Sequence, residues 1–257
     1  QASMLHAKGA IYRLERQGRL HMKDFPLHGT RFPRVLALLL LSCGLTAHCL
    51  AGEVKGKVVF ADAPPARQTV PVTIDQYLCG NEKLADDLQV SANREIRNAV
   101  VWIENPPPGA AVPARTEKVE LDQKGCSFVP RVVVIPAGGT VDFLNSDRLL
   151  HNIHATPKHN VSFNRTQPMG RTIPITFAKP GIVRIGCDLH SWMTAWVVVA
   201  AHAFYAVTGA DGRFAFDNLP PGEYKLQIWH ERLGTVPASV TVGEQQPAQL
   251  TVEMKAR

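Results

Sequence analysis

The stretch Val183-Arg-Ile-Gly-Cys-Asp-Leu-His-Ser-Trp-Met193 combines a strand pattern with a short loop of chemically unusual side chains. Apolar side chains occupy every second position up to Cys187, which predicts a β-strand that ends with this cysteine directed inward. His190 and Met193 follow within the next six residues. The loop therefore presents a thiol, an imidazole and a thioether at a spacing that fixes their mutual geometry.

A second stretch, His151-Asn-Ile-His154, offers a further imidazole from a distant part of the chain. Its two histidines are three residues apart, so they face opposite sides of an extended strand and only one joins the loop. Two imidazoles, a thiolate and a distant thioether suit copper in both of its oxidation states. The pattern predicts one mononuclear copper site. A binuclear copper centre needs a second loop cysteine, and structural zinc prefers several thiolates.

Short β-rich runs fill the rest of the chain, and Pro, Gly, Asn or Asp ends each of them. Such spacing predicts an all-β protein built as sandwiches or barrels. The predicted strands are Val54–Phe60, Ala99–Ile103, Arg131–Ile135, Thr140–Leu144, Thr172–Phe177, Val183–Cys187, Ala195–Val199, Arg213–Phe216, Tyr224–Trp229 and Ala238–Val242. A short helix is predicted over Asn81–Leu88.

The C-terminal part has its own turn chemistry. Thr208–Phe214 contains an Asp-Gly pair typical of a tight hairpin, and Leu219-Pro-Pro-Gly-Glu-Tyr224 forms a second turn. These motifs resemble the carboxypeptidase regulatory-like, or prealbumin-type, β-sandwich. Residues 201–257 are too few for a stable sandwich alone. Gly52–Val58 resembles the first strand of that family, so we expect a discontinuous sandwich. Two sequential domains are the alternative.

A family resemblance covers Lys118–Ala200. The motifs that carry it are Phe128-x-Pro, Ala137-Gly-Gly-Thr-Val-Asp-Phe, Asn145, His151-Asn-Ile-His, Phe177-x-x-Pro-Gly and Cys187-x-x-His-x-x-Met-x-x-x-Val-Val-Val. Together they resemble a small cupredoxin, a blue copper protein, of the amicyanin–plastocyanin branch. The whole arrangement also looks like proteins labelled methylamine utilisation proteins. The resemblance implies a Greek-key sandwich over residues 114–200, between β segments at 52–113 and 201–257.

The resemblance also implies roles for the site residues. His151, Cys187 and His190 correspond to the equatorial copper ligands and Met193 to the axial ligand. Asn152 corresponds to a residue that braces the cysteine loop. One departure is Ser191, where amicyanin-like loops often carry Pro, so this loop is expected to be less stiff.

Other residues near the site have weaker signals. One edge of His190 is expected at the surface, inside an apolar collar formed by Trp192 and Met169. His154 is expected to be a hydrogen-bonded imidazole. His230-Glu231 is expected to be an interface pair, with a second metal site as the alternative.

The N-terminal part differs in charge from the rest. Residues 1–51 hold seven Lys and Arg against two Asp and Glu, whereas the remainder holds 21 against 20. The net charge of +6 therefore gives no argument for nucleic-acid binding. Residues 22–51 resemble a signal peptide, with an apolar run and small residues before Gly52. Residues 1–21 are expected not to be mature sequence, and lipoprotein processing at Cys43 is the alternative to cleavage before Gly52.

Export would leave Cys79, Cys126 and Cys187 in an oxidising compartment. A Cys79–Cys126 disulfide with Cys187 on the metal accounts for all three. The expected function is a periplasmic one-electron carrier, not an enzyme, which serves redox proteins of the cytochrome or dehydrogenase type. No membrane span is expected. Copper capture or delivery, and a structural sandwich with a vestigial site, are the alternatives.

Overall fold

The computed structural model describes residues 52–110, 118–244 and 246–256. The expected upstream segment, signal peptide and Cys43 anchor lie outside these ranges, as does the expected boundary between residues 113 and 114. A search of the described residues for a helix long and apolar enough to cross a membrane found none.

Eighteen strands and one single-turn helix make up the secondary structure of the described chain. The first part contains β1 (Gly52–Phe60), β2 (Thr69–Pro71), α1 (Gln76–Cys79), β3 (Glu82–Leu84) and β4 (Val100–Ile103). The middle part contains β5 (Val119–Gln123), β6 (Phe128–Val129), β7 (Val132–Pro136), β8 (Gly139–Asn145), β9 (His151–Ala155), β10 (Phe163–Gln167), β11 (Ile173–Phe177), β12 (Gly181–Gly186) and β13 (Thr194–Ala200). The last part contains β14 (Tyr205–Val207), β15 (Arg213–Leu219), β16 (Gly222–His230), β17 (Gly234–Val242) and β18 (Ala248–Met254). The all-β prediction is confirmed.

Strands β5 to β13 form the first sandwich. One sheet has the order β10-β9-β12-β13-β7, and the facing sheet has the order β11-β8-β5-β6. Alternation along the strands supplies the core: Val141 and Phe143 of β8 are buried, while Thr140 is exposed and Asp142 is partly exposed. The pairs β7–β13 and β5–β8 are parallel, and the remaining pairs of these two sheets are antiparallel.

The second sandwich is discontinuous in sequence. Strand β1 pairs in parallel with β18 and antiparallel with β15. The facing sheet has the order β14-β4-β16-β17. The two sheets enclose a core that includes Val54, Ile103, Phe216 and Leu226, none more than 4% exposed. The first and last strands of the described chain are therefore neighbours, as the expected discontinuous sandwich requires.

The connection between β1 and β4 departs from the sequence prediction. The helix expected over Asn81–Leu88 is wrong, because β3 forms there and pairs with β2. The only helical turn of this connection is α1, which ends at Cys79 and is followed by Gly80 with φ of 80°. So short a segment has little helical stability of its own, and tertiary pairing decides its structure. Val72 and Cys79 of this connection are buried in the core of the first sandwich.

A small buried cluster joins the two sandwiches. Val132 and Val198 of the first sandwich contact Val100 of the second. Alongside them, the rings of Trp196 and Trp229 meet edge to face with centroids 5.0 Å apart. Val198 and Trp196 lie on the outer face of β13. This strand therefore contributes one face to the interface between the sandwiches and the other face to the core next to the metal-ligand candidates.

Candidate metal centre

Strand pairing brings the two ligand-bearing segments to one end of the first sandwich. His151 opens β9, and Cys187 follows the last residue of β12. These strands are antiparallel neighbours, with Gly186 opposite His154. The start of β9 therefore adjoins the end of β12, and the loop from Cys187 to Met193 closes over both.

Three donor atoms converge where this loop meets the start of β9. The Nδ1 atoms of His151 and His190 are 2.9 Å apart. The Sγ atom of Cys187 lies 3.9 Å from Nδ1 of His151 and 3.7 Å from Nδ1 of His190. All three side chains are buried. Within the described ranges, they are the one group of three His, Cys, Asp or Glu side chains close enough to share a metal ion.

The donor set and its spacing fit a metal. Bonds of about 2.0 Å to nitrogen and about 2.3 Å to sulfur, at trigonal angles, separate the two donors by about 3.7 Å. The observed sulfur–nitrogen distances of 3.7 and 3.9 Å agree with this value, whereas the two Nδ1 atoms, at 2.9 Å, are closer than the about 3.5 Å that the same angles give. Met193, which is 1% exposed, lies in the same buried cluster as Cys187. Its amide donates to the carbonyl of His190 at 2.8 Å, so the backbone of Met193 is held against that of His190.

The outer nitrogen of His151 is held by a carboxylate. Nε2 donates to Oδ2 of Asp147 at 3.0 Å. Asp147 in turn accepts from the amides of Gly125 and Cys126 at 2.6 and 2.8 Å. Burial lowers the pKa of His151, and the hydrogen bond to Asp147 opposes this shift. With Nε2 protonated, Nδ1 is left free to bind a metal.

The outer nitrogen of His190 is also held by a carboxylate. Nε2 donates to Oδ2 of Asp75 at 3.0 Å, and His190 is 0% exposed. The expectation that one edge of His190 reaches the surface is therefore wrong, because the connection between β1 and β4 covers it. Trp192 does lie beside this imidazole, with ring centroids 5.2 Å apart, whereas Met169 is 61% exposed.

Asn152 links the cysteine loop to β9. Its Oδ1 accepts from the thiol of Cys187 at 3.2 Å and from the amide of Asp188 at 2.7 Å. Its Nδ2 donates to Asp188 and to Asn164 at 3.0 and 2.8 Å. Asn152 therefore lies where its side chain can brace the cysteine loop against β9.

His154 lies apart from the three donors. Its Nδ1 bonds to Oδ1 of Asp188 at 2.8 Å, and its side chain is 38% exposed. Three residues along β9 from His151, it faces the other side of the strand.

The remaining cysteines and the His230-Glu231 pair have structural roles. Cys79 and Cys126 form a disulfide, and Cys187 is the free cysteine of the described chain. Glu231 pairs with Arg131 of the first sandwich at 2.5 and 2.8 Å, so it is an interface residue. His230 is 1% exposed and accepts from the amide of Arg232 at 3.3 Å.

Sequence reasoning missed the two carboxylates. Asp147 precedes His151 by four residues, so proximity along the chain could have suggested it. Asp75 lies 115 residues before His190, and no local pattern connects them.

Comparisons with known proteins add the following similarities. The family model of the carboxypeptidase regulatory-like domain matches residues 194–255. No match was found among curated proteins. A Cu-containing nitrite reductase from Thermus scotoductus SA-01 is 27% identical over 37% of this chain, with a TM-score of 0.32. This chain spans only 25% of that enzyme's length.

Two small solved structures are also similar. A purple cupredoxin from Nitrosopumilus maritimus is 22% identical over 32% of this chain and 100% of its own, with a TM-score of 0.29. Amicyanin from Paracoccus versutus is 22% identical over 39% of this chain and 97% of its own, with a TM-score of 0.31.

Proposed function

We propose that this chain is a type 1 copper protein that carries single electrons. His151, Cys187 and His190 bind one copper ion equatorially, and Met193 is the axial ligand. The observation that carries the proposal is the convergence of two imidazole Nδ1 atoms and one cysteine sulfur in a buried site.

Copper bound there supplies a Cu(I)/Cu(II) couple that gains or loses one electron. The chain's own residues position the donors. Asp147 and Asp75 fix the orientation of the two imidazoles, and Asn152 holds the start of the cysteine loop through the amide of Asp188. A site whose ligands stay in place in both states needs little rearrangement when an electron moves.

Export to the periplasm is part of the proposal. It rests on the signal-like leader at residues 22–51, whose alternative is a lipid anchor at Cys43. The disulfide between Cys79 and Cys126 is consistent with an oxidising compartment. The partners we propose are redox proteins of the cytochrome or dehydrogenase type, and we propose no substrate chemistry for the chain itself.

Copper capture or delivery is the second candidate. The covered edge of His190 favours it, because a carrier that exposed this edge would give a partner direct access to a ligand. Repeated reduction and reoxidation with copper retained, one electron per copper, is expected of a carrier. Loss of copper to an apo-protein or chelator on reduction would favour delivery.

The test is an optical and EPR spectrum of the copper-loaded protein. A trigonal Cu(II)–thiolate site should absorb strongly near ~600 nm. Cys187→Ser should remove this band, while Met169→Leu, a change at an exposed side chain outside the site, should keep it. A wild-type protein without the band, or a Cys187→Ser protein that keeps it, would overturn the assignment.

A further inference from the structure

The segment Val72–Asn81 covers the candidate metal centre, although it lies far from it in sequence. Val72 is 1% exposed and packs in the core of the first sandwich. Its amide donates to the carbonyl of Asn81 at 2.9 Å, so a hydrogen bond joins the two ends of the segment. Between them, Asp75 reaches the outer nitrogen of His190. We call this segment the cap.

Several contacts fix Asp75 within the cap. Its carbonyl accepts from the amides of Leu78 and Cys79 at 3.0 and 2.9 Å, which closes the turn of α1. The side chain of Gln76 donates to the carbonyl of Val72 at 2.7 Å. Asp75 itself adopts φ of 56°, a conformation that aspartate tolerates better than most residues. The carboxylate is therefore held in one place relative to the core.

The disulfide connects the cap to the support of the other histidine. Cys79 ends α1, and its partner Cys126 donates its amide to Asp147, which binds His151. The carbonyl of Cys126 accepts from Nε1 of Trp192 at 3.0 Å, and the ring of Trp192 lies against His190. One cross-link thus joins the segment that carries Asp75 to the turn whose amides hold Asp147.

We propose that Asp75 is a positioning residue for His190 and that the cap is the barrier to metal exchange at this site. The inference relies on the proposed function for the identity of the metal. The contact between Asp75 and His190 does not depend on that function. A metal that leaves the site must release His190, whose imidazole can swing outward only after its bond to Asp75 breaks and the cap moves. An imidazole held at Nε2 also keeps Nδ1 directed at the metal.

Two measurements test the role of Asp75. In metal-free protein, NMR should detect the Nε2 proton of His190 as slowly exchanging in wild type and lost or fast in Asp75→Ala. In Cu(I)-loaded protein, removal of copper by bathocuproine disulfonate should be faster in Asp75→Ala by about 10- to 100-fold, the usual effect of losing an outer-shell partner. Asp75→Asn, whose amide oxygen still accepts from Nε2, should retain most of the protection.

Asp62→Ala is the matched control, because it removes an exposed carboxylate outside the cap. It should leave both readouts unchanged. Unprotected Nε2 exchange in wild type, or equal copper-removal rates in wild type and Asp75→Ala, would overturn the inference. Should Asp75→Ala fail to fold, the wild-type exchange rate and the Asp75→Asn protein still decide it. A protein that never binds copper but protects this proton would overturn the proposed function and leave the positioning contact standing.

Discussion

The side-chain oxygen of Asn152 lies 3.2 Å from the sulfur of Cys187 and accepts its thiol hydrogen. The same oxygen accepts from the amide of the next residue, Asp188, at 2.7 Å. The first two residues of the ligand loop are therefore fastened to β9, the strand that carries His151. This side chain adds to the β9–β12 pairing and to the His154–Asp188 contact, which also join the two ligand-bearing segments.

We expect Asn152→Ala to weaken copper binding by about 10- to 100-fold, because the cysteine loop loses its brace. Competition with a copper chelator measures the affinity, and the thiolate band reports the geometry. Asn160→Ala is a matched control, since Asn160 braces the backbone of Lys179 at 2.8 and 2.9 Å in a different loop. An Asn152→Ala protein with wild-type affinity and spectrum would contradict the bracing role.

The second prediction concerns the disulfide between Cys79 and Cys126, which are 47 residues apart in sequence. Chain-entropy estimates give such a cross-link about 4 kcal/mol of stabilisation, less any strain. The Cys79→Ala, Cys126→Ala double variant should lower the free energy of unfolding by up to this amount, as measured in urea.

Thiol counting provides an independent check on the same pairing. A denatured, metal-free chain that starts at Gly52 should react as one thiol, from Cys187, and as three after reduction. Three thiols before reduction would show that the disulfide does not form.

The sequence was sufficient to predict the fold class and the grouping of His151, Cys187 and His190. Alternation of apolar residues identifies strands such as β8 and β16, because side chains two positions apart lie on the same face of a strand. The ligand loop is equally readable, because Cys187, His190 and Met193 are close in the chain. The resemblance of Gly52–Val58 to a family's first strand led us to expect that β1 joins the C-terminal strands, but β18 and its parallel pairing with β1 were not predicted.

The cap around Asp75 could not be predicted in this way. Its helix has four residues, too few for a periodic pattern, and its contact with His190 spans 115 positions. The burial of His190 depends entirely on that long-range contact. The local sequence around His190 therefore predicts that one edge of its imidazole is exposed. In the fold this imidazole is buried.

The third prediction concerns Arg131, which is buried between the sandwiches with an exposed fraction of 7%. It donates to Glu231 at 2.5 and 2.8 Å and also pairs with Asp86. Arg131→Met should destabilise the protein by about 3–5 kcal/mol, because it leaves the buried Glu231 carboxylate without its partner.

Arg232→Met is the control for the Arg131 variant. Arg232 pairs with Asp87, but its side chain is 60% exposed, so its loss should cost about 0–1 kcal/mol. Adding Glu231→Gln to Arg131→Met should recover part of the lost stability. Equal effects of the two arginine variants in urea unfolding would argue against a buried ion pair at the interface.

The last prediction concerns the acid stability of the second sandwich. His230 is 1% exposed, and burial, with the nearby charge of Arg131, lowers its pKa to about 4. Asp87 and the backbone of Arg97 act in the opposite direction, while Arg232 adds to the lowering. Nδ1 accepts from the amide of Arg232, a bond that a protonated ring cannot keep.

Because the folded-state pKa of His230 lies below the unfolded value of about 6.5, the unfolded chain binds the proton first as pH falls. Above pH ~7 the titration of His230 therefore leaves the free energy of unfolding unchanged. By pH 5 it should have lowered that free energy by about 2 kcal/mol. Comparing wild type with His230→Gln in urea at several pH values isolates this contribution, since other titrating groups are common to both proteins. The stability difference between the two should shift in favour of His230→Gln as pH falls from 7 to 5. A difference that stays constant over this range would mean that His230 titrates alike in the folded and unfolded states.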